Sequence, residues 1–582
     1  MEVEEVVRRA VSLQEALTII LLSISFTGYL FPRQAHVEDG YEYDFIVVGS
    51  GTSGSVIAAR LTENKHFKVL VVEAGGEPPL QCITAALIPF TANSFIDWNF
   101  TSQNDAYTLK CRKDGVLRMI QGKVLGGSSC SNYMFYNRGS PQDFDQWAKI
   151  SGDDTWKWEN VLPYFKKSER LQDQEILRSP DGVFHGTEGY VKVSREVSND
   201  TDGYLRSFKE LGYPVIADIN GDKFQGYTQT MYTVGDNYRQ SAAYCFFPPA
   251  QNRPNLHLLK NSLVTKITFN KSKRVNGVQI VIDNKKEVNV RVRKEVILSA
   301  GTINSPKLLM LSGIGPKEHL KSLNIKILNN LPVGKNFQDH VVVPTLIQME
   351  KTNIPIKPRN PNIYPFITVT GFVALNESQK FSDYEVQIYI LPHDSDIPLQ
   401  YFAYDFKYKR DISEIFREKR ESRNVSLGLL MNLHPKSRGE VLLRSGDYKD
   451  PPLIYTGAFS EQDDIDNSVA YVKDYLRVLN TEYFKSVNAT LVDLTNGRCG
   501  RFDLDSTDYW RCYSLCMMNT AFDFIGTCAL GTVVDSKLRV KGVRGLRVAD
   551  ASVIPLGLSG NVHAPAMMIG EKVSDMIKNK YK

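Results

Sequence analysis

The sequence predicts an α/β protein in which a Rossmann-like nucleotide-binding domain is interleaved with a second, mixed α+β domain. Three stretches carry that expectation. Residues 43–76 read as strand, tight glycine turn, helix and strand; residues 341–510 are rich in strand-like alternation; and residues 542–578 return to a strand followed by a helix. At 582 residues the chain is too long for one ordinary core. The expected division places a hydrophobic segment at 1–40, the nucleotide-binding domain at 41–340 and again at 521–582, and the second domain at 341–520.

The opening segment is compositionally distinct. Residues 16–31 are uncharged and end at Pro32, a length that suits the apolar core of a signal peptide better than a membrane span. Glu2, Glu4 and Glu5 outnumber Arg8 and Arg9 ahead of it, against the usual basic start of such a peptide. A cleaved leader and a retained hydrophobic segment on a cytosolic or membrane-associated protein both stay open; secretion is the favoured expectation. Sequons at Asn99, Asn199, Asn270, Asn376, Asn424 and Asn488 fit a secretory route.

Composition excludes several classes. The 70 Lys+Arg and 65 Asp+Glu are interspersed, which removes any electrostatic case for nucleic acid. Eight cysteines are too few for a disulfide scaffold in a chain this long. Cys499, Cys512, Cys516 and Cys528 cluster near the C-terminus, but no His or Cys pair stands at ligand spacing beside Cys512 and Cys516. No metal is expected, and one or two disulfides remain open.

In the first unit, residues 44–48 form a short run suited to a buried parallel strand, 55–62 carry helical apolar spacing, and 68–72 are again strand-like. Gly49-x-Gly51-x-x-Gly54 falls in the strand-to-helix turn. The first glycine permits the turn, the second lets backbone approach a pyrophosphate, and the third lets helix pack on strand. The helix N-terminus then offers unpaired N–H groups to phosphate. Glu73, closing the second strand, is placed to accept from a ribose hydroxyl.

Further along, residues 122–139 have no clear period, and their Gly-Gly-Ser-Ser core suggests backbone pressed against a ligand. Residues 296–315 read as a buried strand and a helix starting near Ser305–Pro306. "LPVGKNFQDH" (331–340) follows. "TGFVAL", "YEVQIYIL" and "GEVLLRS" alternate as strands, and 461–480 as a helix. The chain closes with a strand at 546–549, Asp550, a loop, and a helix from about Pro565.

On four of these motifs the chain resembles the glucose–methanol–choline (GMC) flavoprotein oxidoreductases, in their insect glucose-dehydrogenase-like branch, from residue 43 to 578. They are Gly49–Gly54 with Glu73, 122–139, 301–315 with 332–340, and 526–570. The resemblance implies FAD, held non-covalently because Cys130 and Ser131 stand where some relatives carry a linking His. It implies that Gly49, Gly51 and Gly54 meet the pyrophosphate, Glu73 the adenosine ribose, and the Val264 backbone the adenine. Ser128, Asn132 and Met134 match the loop around the flavin, and Asp550 the acid near the ribityl chain. Thr52, Ser53, Ala74, Trp98, Val124, Tyr133, Ala551 and His563 complete the expected cofactor set.

The reaction this resemblance implies is hydride transfer from an alcohol to flavin N5, with a His four residues before the Thr of Gly-Thr-Cys as general base. Counting back from Thr527 gives Asp523, within "FDFIGTC". Asn561 matches the base's partner, and His563 stands where relatives carry Asn. Asp523, Asn561 and His563 are therefore the expected catalytic residues, with Asp523 and His563 as the proton-handling pair. An ionised carboxylate is a weak base, near 3.9 when unperturbed, and opposes negative charge developing on reduced flavin. The sequence thus leans toward non-oxidative chemistry (isomerisation, cyclisation or a lyase reaction) on a small carbonyl or aldehyde substrate with FAD retained. FAD-dependent oxidation of a small alcohol is the alternative, and an inactive FAD-binding paralogue the third.

Overall fold

The computed structural model describes residues 31–105, 108–350, 367–376, 378–391, 405–420 and 423–582. Of the apolar segment 16–31, only Phe31 falls within them. Two large sheets organise the chain. In the first, the strands run Leu256–Leu259, Val69–Val72, Glu42–Val48, Lys286–Leu298, Val275–Ile282 and Ser262–Phe269, with Leu546–Val548 joining Lys286–Leu298. The long strand Lys286–Leu298 serves two partners in turn on one side. Its first half pairs antiparallel with Val275–Ile282, and its last residues pair parallel with Leu546–Val548.

The parallel core consists of Val69–Val72 and Glu42–Val48, buried at every position but Glu42. Strands buried on both faces need near-continuous apolar sequence, as these have. The helix Thr52–Leu61 packs between this sheet and the C-terminal helix His563–Lys580. At their contact a Cβ on Gly570 would stand 2.9 Å from Val56 Cβ, so glycine sets the approach. Arg60 donates from Nε and Nη2 to the buried Glu571 carboxylate, at 2.9 and 2.8 Å, binding the two helices across 511 residues.

The second sheet is antiparallel, in the order Thr490–Val492, Val341–Met349, Asn424–Asn432, Tyr384–Leu391, Ile367–Val373 and Gly226–Gln229, with Asn519–Thr520 also pairing Val341–Met349. Its outer strand Gly226–Gln229 comes from within 41–340, so the sheets cross the expected boundary at 340. A second apolar core beneath it gathers Ile88, Leu117 and Tyr204 as well as later residues. Disulfides join Cys111 to Cys516 and Cys499 to Cys512. Among the described residues no cluster is suited to hold a metal, and no helix is long and apolar enough to cross a membrane.

Two helices begin earlier than the sequence suggests, and in both cases a carboxylate from another segment sits at the helix start. The helix expected from Ser305–Pro306 spans Gly301–Leu311, because Asp550 Oδ2 accepts from Gly301 N (2.9 Å) and Ser305 Oγ (2.6 Å). The helix expected from Pro565 begins at His563, where Asp523 Oδ1 accepts from Val562 N at 3.3 Å.

A buried polar knot fixes the far end of the 122–139 loop. Arg138 donates to Glu169 at 2.7 Å, His185 Nδ1 faces Glu169, and His185 Nε2 lies 2.8 Å from Asp218. Carboxylates only accept, so both ring nitrogens must carry protons. Burial alone would lower the His185 pKa, but Asp218 and Glu169 outweigh it and raise it. This stabilisation is present in full below the unfolded value near 6.5 and is lost as pH rises through the raised folded value. His185→Gln is therefore expected to cost about 3 kcal/mol at pH 6, read from urea midpoints. The gap to wild type should narrow steadily in the same measurement at alkaline pH.

Candidate active site

The Gly49 turn opens a cleft of about 690 Å³ lying between the two sheets. Gly49 has φ +92°, and a Cβ there would meet Ser299 O at 2.5 Å. Gly54 is equally constrained, since its Cβ would stand 2.1 Å from Gly49 O. Gly51 differs: the nearest atom to a Cβ would be 3.9 Å away, so protein packing does not demand glycine there. The side-chain space it leaves opens on the cleft, as close approach of a ligand requires. Gly51 N-caps the helix Thr52–Leu61 without a side-chain cap or an acidic residue in the first turn, leaving its N–H groups available to an anion.

Glu73 lies at the opposite edge of this turn. Its carboxylate accepts from Ser50 N, Ser50 Oγ and Gly75 N at 2.7–2.9 Å, and burial raises its pKa against those bonds. Three acceptor sites are used of roughly four, so capacity for a ribose hydroxyl remains. Ala74, Trp98, Ser128, Asn132, Tyr133, Met134 and Val264 line the same cleft, as do Thr52, Ser53, Asp550 and Ala551. Met134 holds φ +63°, an unusual conformation for a non-glycine residue. Two expected residues do not line it. Val124 is buried with Cys82, Ile96 and Cys130, and Gly54 packs helix against turn. Buried Gln121 Oε1 and Asn304 Nδ2 have no hydrogen-bond partner among the described residues and belong to cleft-lining residues. These features fit a dinucleotide laid along the cleft.

At the second-domain end, Asp523 and Asn561 line the cleft together. Asp523 Oδ2 accepts from Asn561 Nδ2 at 3.0 Å and lies 3.0 Å from His340 Nδ1. Its backbone N–H donates to Asp339 at 3.0 Å. The expected Asp523–His563 pair does not form: His563 instead faces Thr52 Oγ1 at 3.4 Å. Burial, then the charge of Arg239, pushes the His563 imidazole down to about 4, so it is neutral near pH 7. Its Nε2 has no partner among the described residues.

His340 is the residue the sequence reading passed over. It is 2% exposed, sits behind Asp523, and has two further acids, Asp339 and Glu385, acting on it. Burial pushes Asp339 and Glu385 each up to about 7. Burial would lower His340 as well, but the hydrogen bond and charge of Asp523, with Asp339 and Glu385 beyond, raise its pKa. The motif ending at His340 was visible, but only its approach to Asp523, 183 residues on, shows what it touches.

Comparisons with known proteins identify the family and the fold. The N- and C-terminal family models described as GMC oxidoreductase match residues 43–342 and 435–570. The chain is 38% identical over 572 residues to ecdysone oxidase of Bombyx mori, covering 95% of this chain and 84% of that one. It is 33% identical over 564 residues to glucose dehydrogenase [FAD, quinone] of Drosophila melanogaster, covering 94% and 88%. A solved structure of Aspergillus oryzae formate oxidase, studied for FAD modification, superposes with TM-score 0.79 at 26% identity, covering 94% of this chain and 99% of that one.

The contrast among the turn glycines makes a test. Gly51→Ala should leave the apoprotein's thermal midpoint unchanged while costing about 1–3 kcal/mol of FAD affinity by crowding the ligand. Gly54→Ala should lower the midpoint itself. Calorimetry of the apoprotein and FAD titration separate the two.

Proposed function

The chain belongs to the GMC oxidoreductase family and uses FAD; from that premise we propose that it oxidises a hydroxyl group on a small, largely apolar molecule. The observation that carries this reading is the His340–Asp523–Asn561 arrangement, which supplies the position expected to hold a histidine base with a carboxylate backed by an imidazole.

When bound, FAD supplies a two-electron acceptor. The chain's own residues handle the proton and the charge. Asn561 and His340 both engage Asp523 Oδ2, leaving Oδ1, which among the described residues accepts only from Val562 N at 3.3 Å, to accept the hydroxyl proton. With His340 protonated, the pair is neutral overall. That offsets the repulsion a lone carboxylate would exert on negative charge gathering nearby, the objection the sequence alone raised. Neutral His563 adds no charge and holds the start of the C-terminal helix against Thr52.

The apolar wall of Phe406, Phe522, Phe524, Leu427, Leu429 and Met431 supports a ring-rich substrate over a sugar. Similarity to an ecdysone oxidase supports the same choice. Both disulfides, and exposed sequons at Asn99, Asn199, Asn270, Asn376 and Asn488, support work in an oxidising secretory compartment. A second reading, proton transfer on a carbonyl with FAD retained, is favoured by one observation: the group facing the cleft is an acid, with the imidazole behind it.

Anaerobic mixing of the holoprotein with ecdysone and simpler secondary alcohols decides between them. Loss of flavin absorbance is expected; flavin that stays oxidised while an aldehyde or ketone is converted would establish the second reading. Asp523→Asn should lower the reduction rate about 10²–10⁴-fold. Because protonated His340 is the competent form, the rate should fall as pH rises through its raised pKa. His340→Gln should remove that alkaline limb, slowing the enzyme below the His340 pKa and converging with wild type above it.

A further inference from the structure

The cleft holds another carboxylate that the site above does not use. Asp405 is 2% exposed and lines the cleft, yet among the described residues only one of its oxygens is engaged. Oδ2 accepts from the Tyr133 hydroxyl at 2.7 Å, whereas Oδ1 has no hydrogen-bond partner among the described residues. A carboxylate kept for structure would use both oxygens, since an unpaired buried acceptor is costly.

The position is rigidly built. Arg112, fully buried, donates to the carbonyl of Phe406, next to Asp405, and to those of Met517 and Met518. Its guanidinium lies 3.5 Å over the Tyr408 ring. Tyr408 in turn donates to Met517 O at 2.6 Å. Phe406 stacks with Phe522, the neighbour of Asp523, at 6.4 Å between ring centres and 17° between planes. Asp405 and Asp523 thus stand on one cleft, on either side of a stacked aromatic pair, with no hydrogen bond between them.

We propose that Asp405, oriented by Tyr133, is a second polar anchor that accepts a hydrogen bond from another hydroxyl of the substrate. This rests on the oxidation reading for the hydroxyl at Asp523, and together they define the substrate class as a ring-type apolar scaffold with two separated hydroxyls. A hydroxyl suits the site better than an ammonium group. Burial first, opposed by Tyr133 and the charge of Arg118, leaves the Asp405 carboxyl at about 7, and a hydroxyl can pair with either protonation state. An ammonium group would be stripped of water among aromatic and aliphatic side chains.

The test uses FAD-loaded Asp523→Asn protein, so that bound probe is not consumed, and two steroids: 5α-androstane-3β,17β-diol and 5α-androstan-3β-ol, which lacks one hydroxyl. Equilibrium dialysis should show the diol binding about 10- to 100-fold more tightly. Adding Asp405→Leu should bring the ratio close to one without weakening the mono-ol, and Tyr133→Phe should reduce it partway. Asp405→Asn, which keeps the shape, should lower the ratio if the leucine variant does not fold. Equal binding of the two steroids, a ratio unchanged by these substitutions, or no binding of either overturns the proposal. Flavin reduction in the wild type is read separately, so failure of oxidation and failure of the anchor are told apart.

Discussion

The carboxylate of Asp523 is the point where this protein's distant segments meet. It draws in His340 at the entrance to the antiparallel sheet, Asn561 in the closing loop, and the first turn of the C-terminal helix through Val562 N. A buried charge must be matched by hydrogen bonds and opposite charge or it destabilises the fold. Here the matching groups come from two separate stretches, 339–340 and 561–562, so the demand for compensation holds the edge of the second sheet and the C-terminal helix in one arrangement around the cleft.

Asp550 does the corresponding work on the cofactor side. It accepts from Gly301 and Ser305 at the start of one helix and from Ser552 in its own loop, while the strand preceding it completes the parallel sheet. The chain must therefore return from the second sheet before the first is complete. Such an interleaved order explains how residues from 49 to 563 line a single cleft.

Charge separates the two histidines near the cleft. His563 has an apolar setting and Arg239 for company, and stays neutral; His340 has carboxylates around it and is driven toward its protonated form. The same ring has opposite tendencies because burial opposes charge in both and is outweighed in only one. Pairing Asp523 with His563 from sequence was reasonable by proximity in a motif, but helix geometry turns His563 toward Thr52.

How much was legible follows from the range of the forces involved. The strand–turn–helix of 42–61, the glycine roles, and the alternation of later strands come from local sterics and periodicity, which act over a few residues. They were readable, and with them the family resemblance and the cofactor. Helix starts at 301 and 563 were misplaced by a few residues because their carboxylate partners lie 249 and 39 residues away. Val124 carried a motif position but faces an apolar cluster. His340, Asp339, Glu385 and Asp405 gave no local sign of function, because a buried polar group acquires its meaning from what surrounds it. The sequence by itself determined the glycine turn of the dinucleotide cleft and the presence of an acid four residues before Thr527. Only the tertiary structure decided which imidazole backs that acid, since hydrogen bonds depend on distances in space that no spacing along the chain encodes.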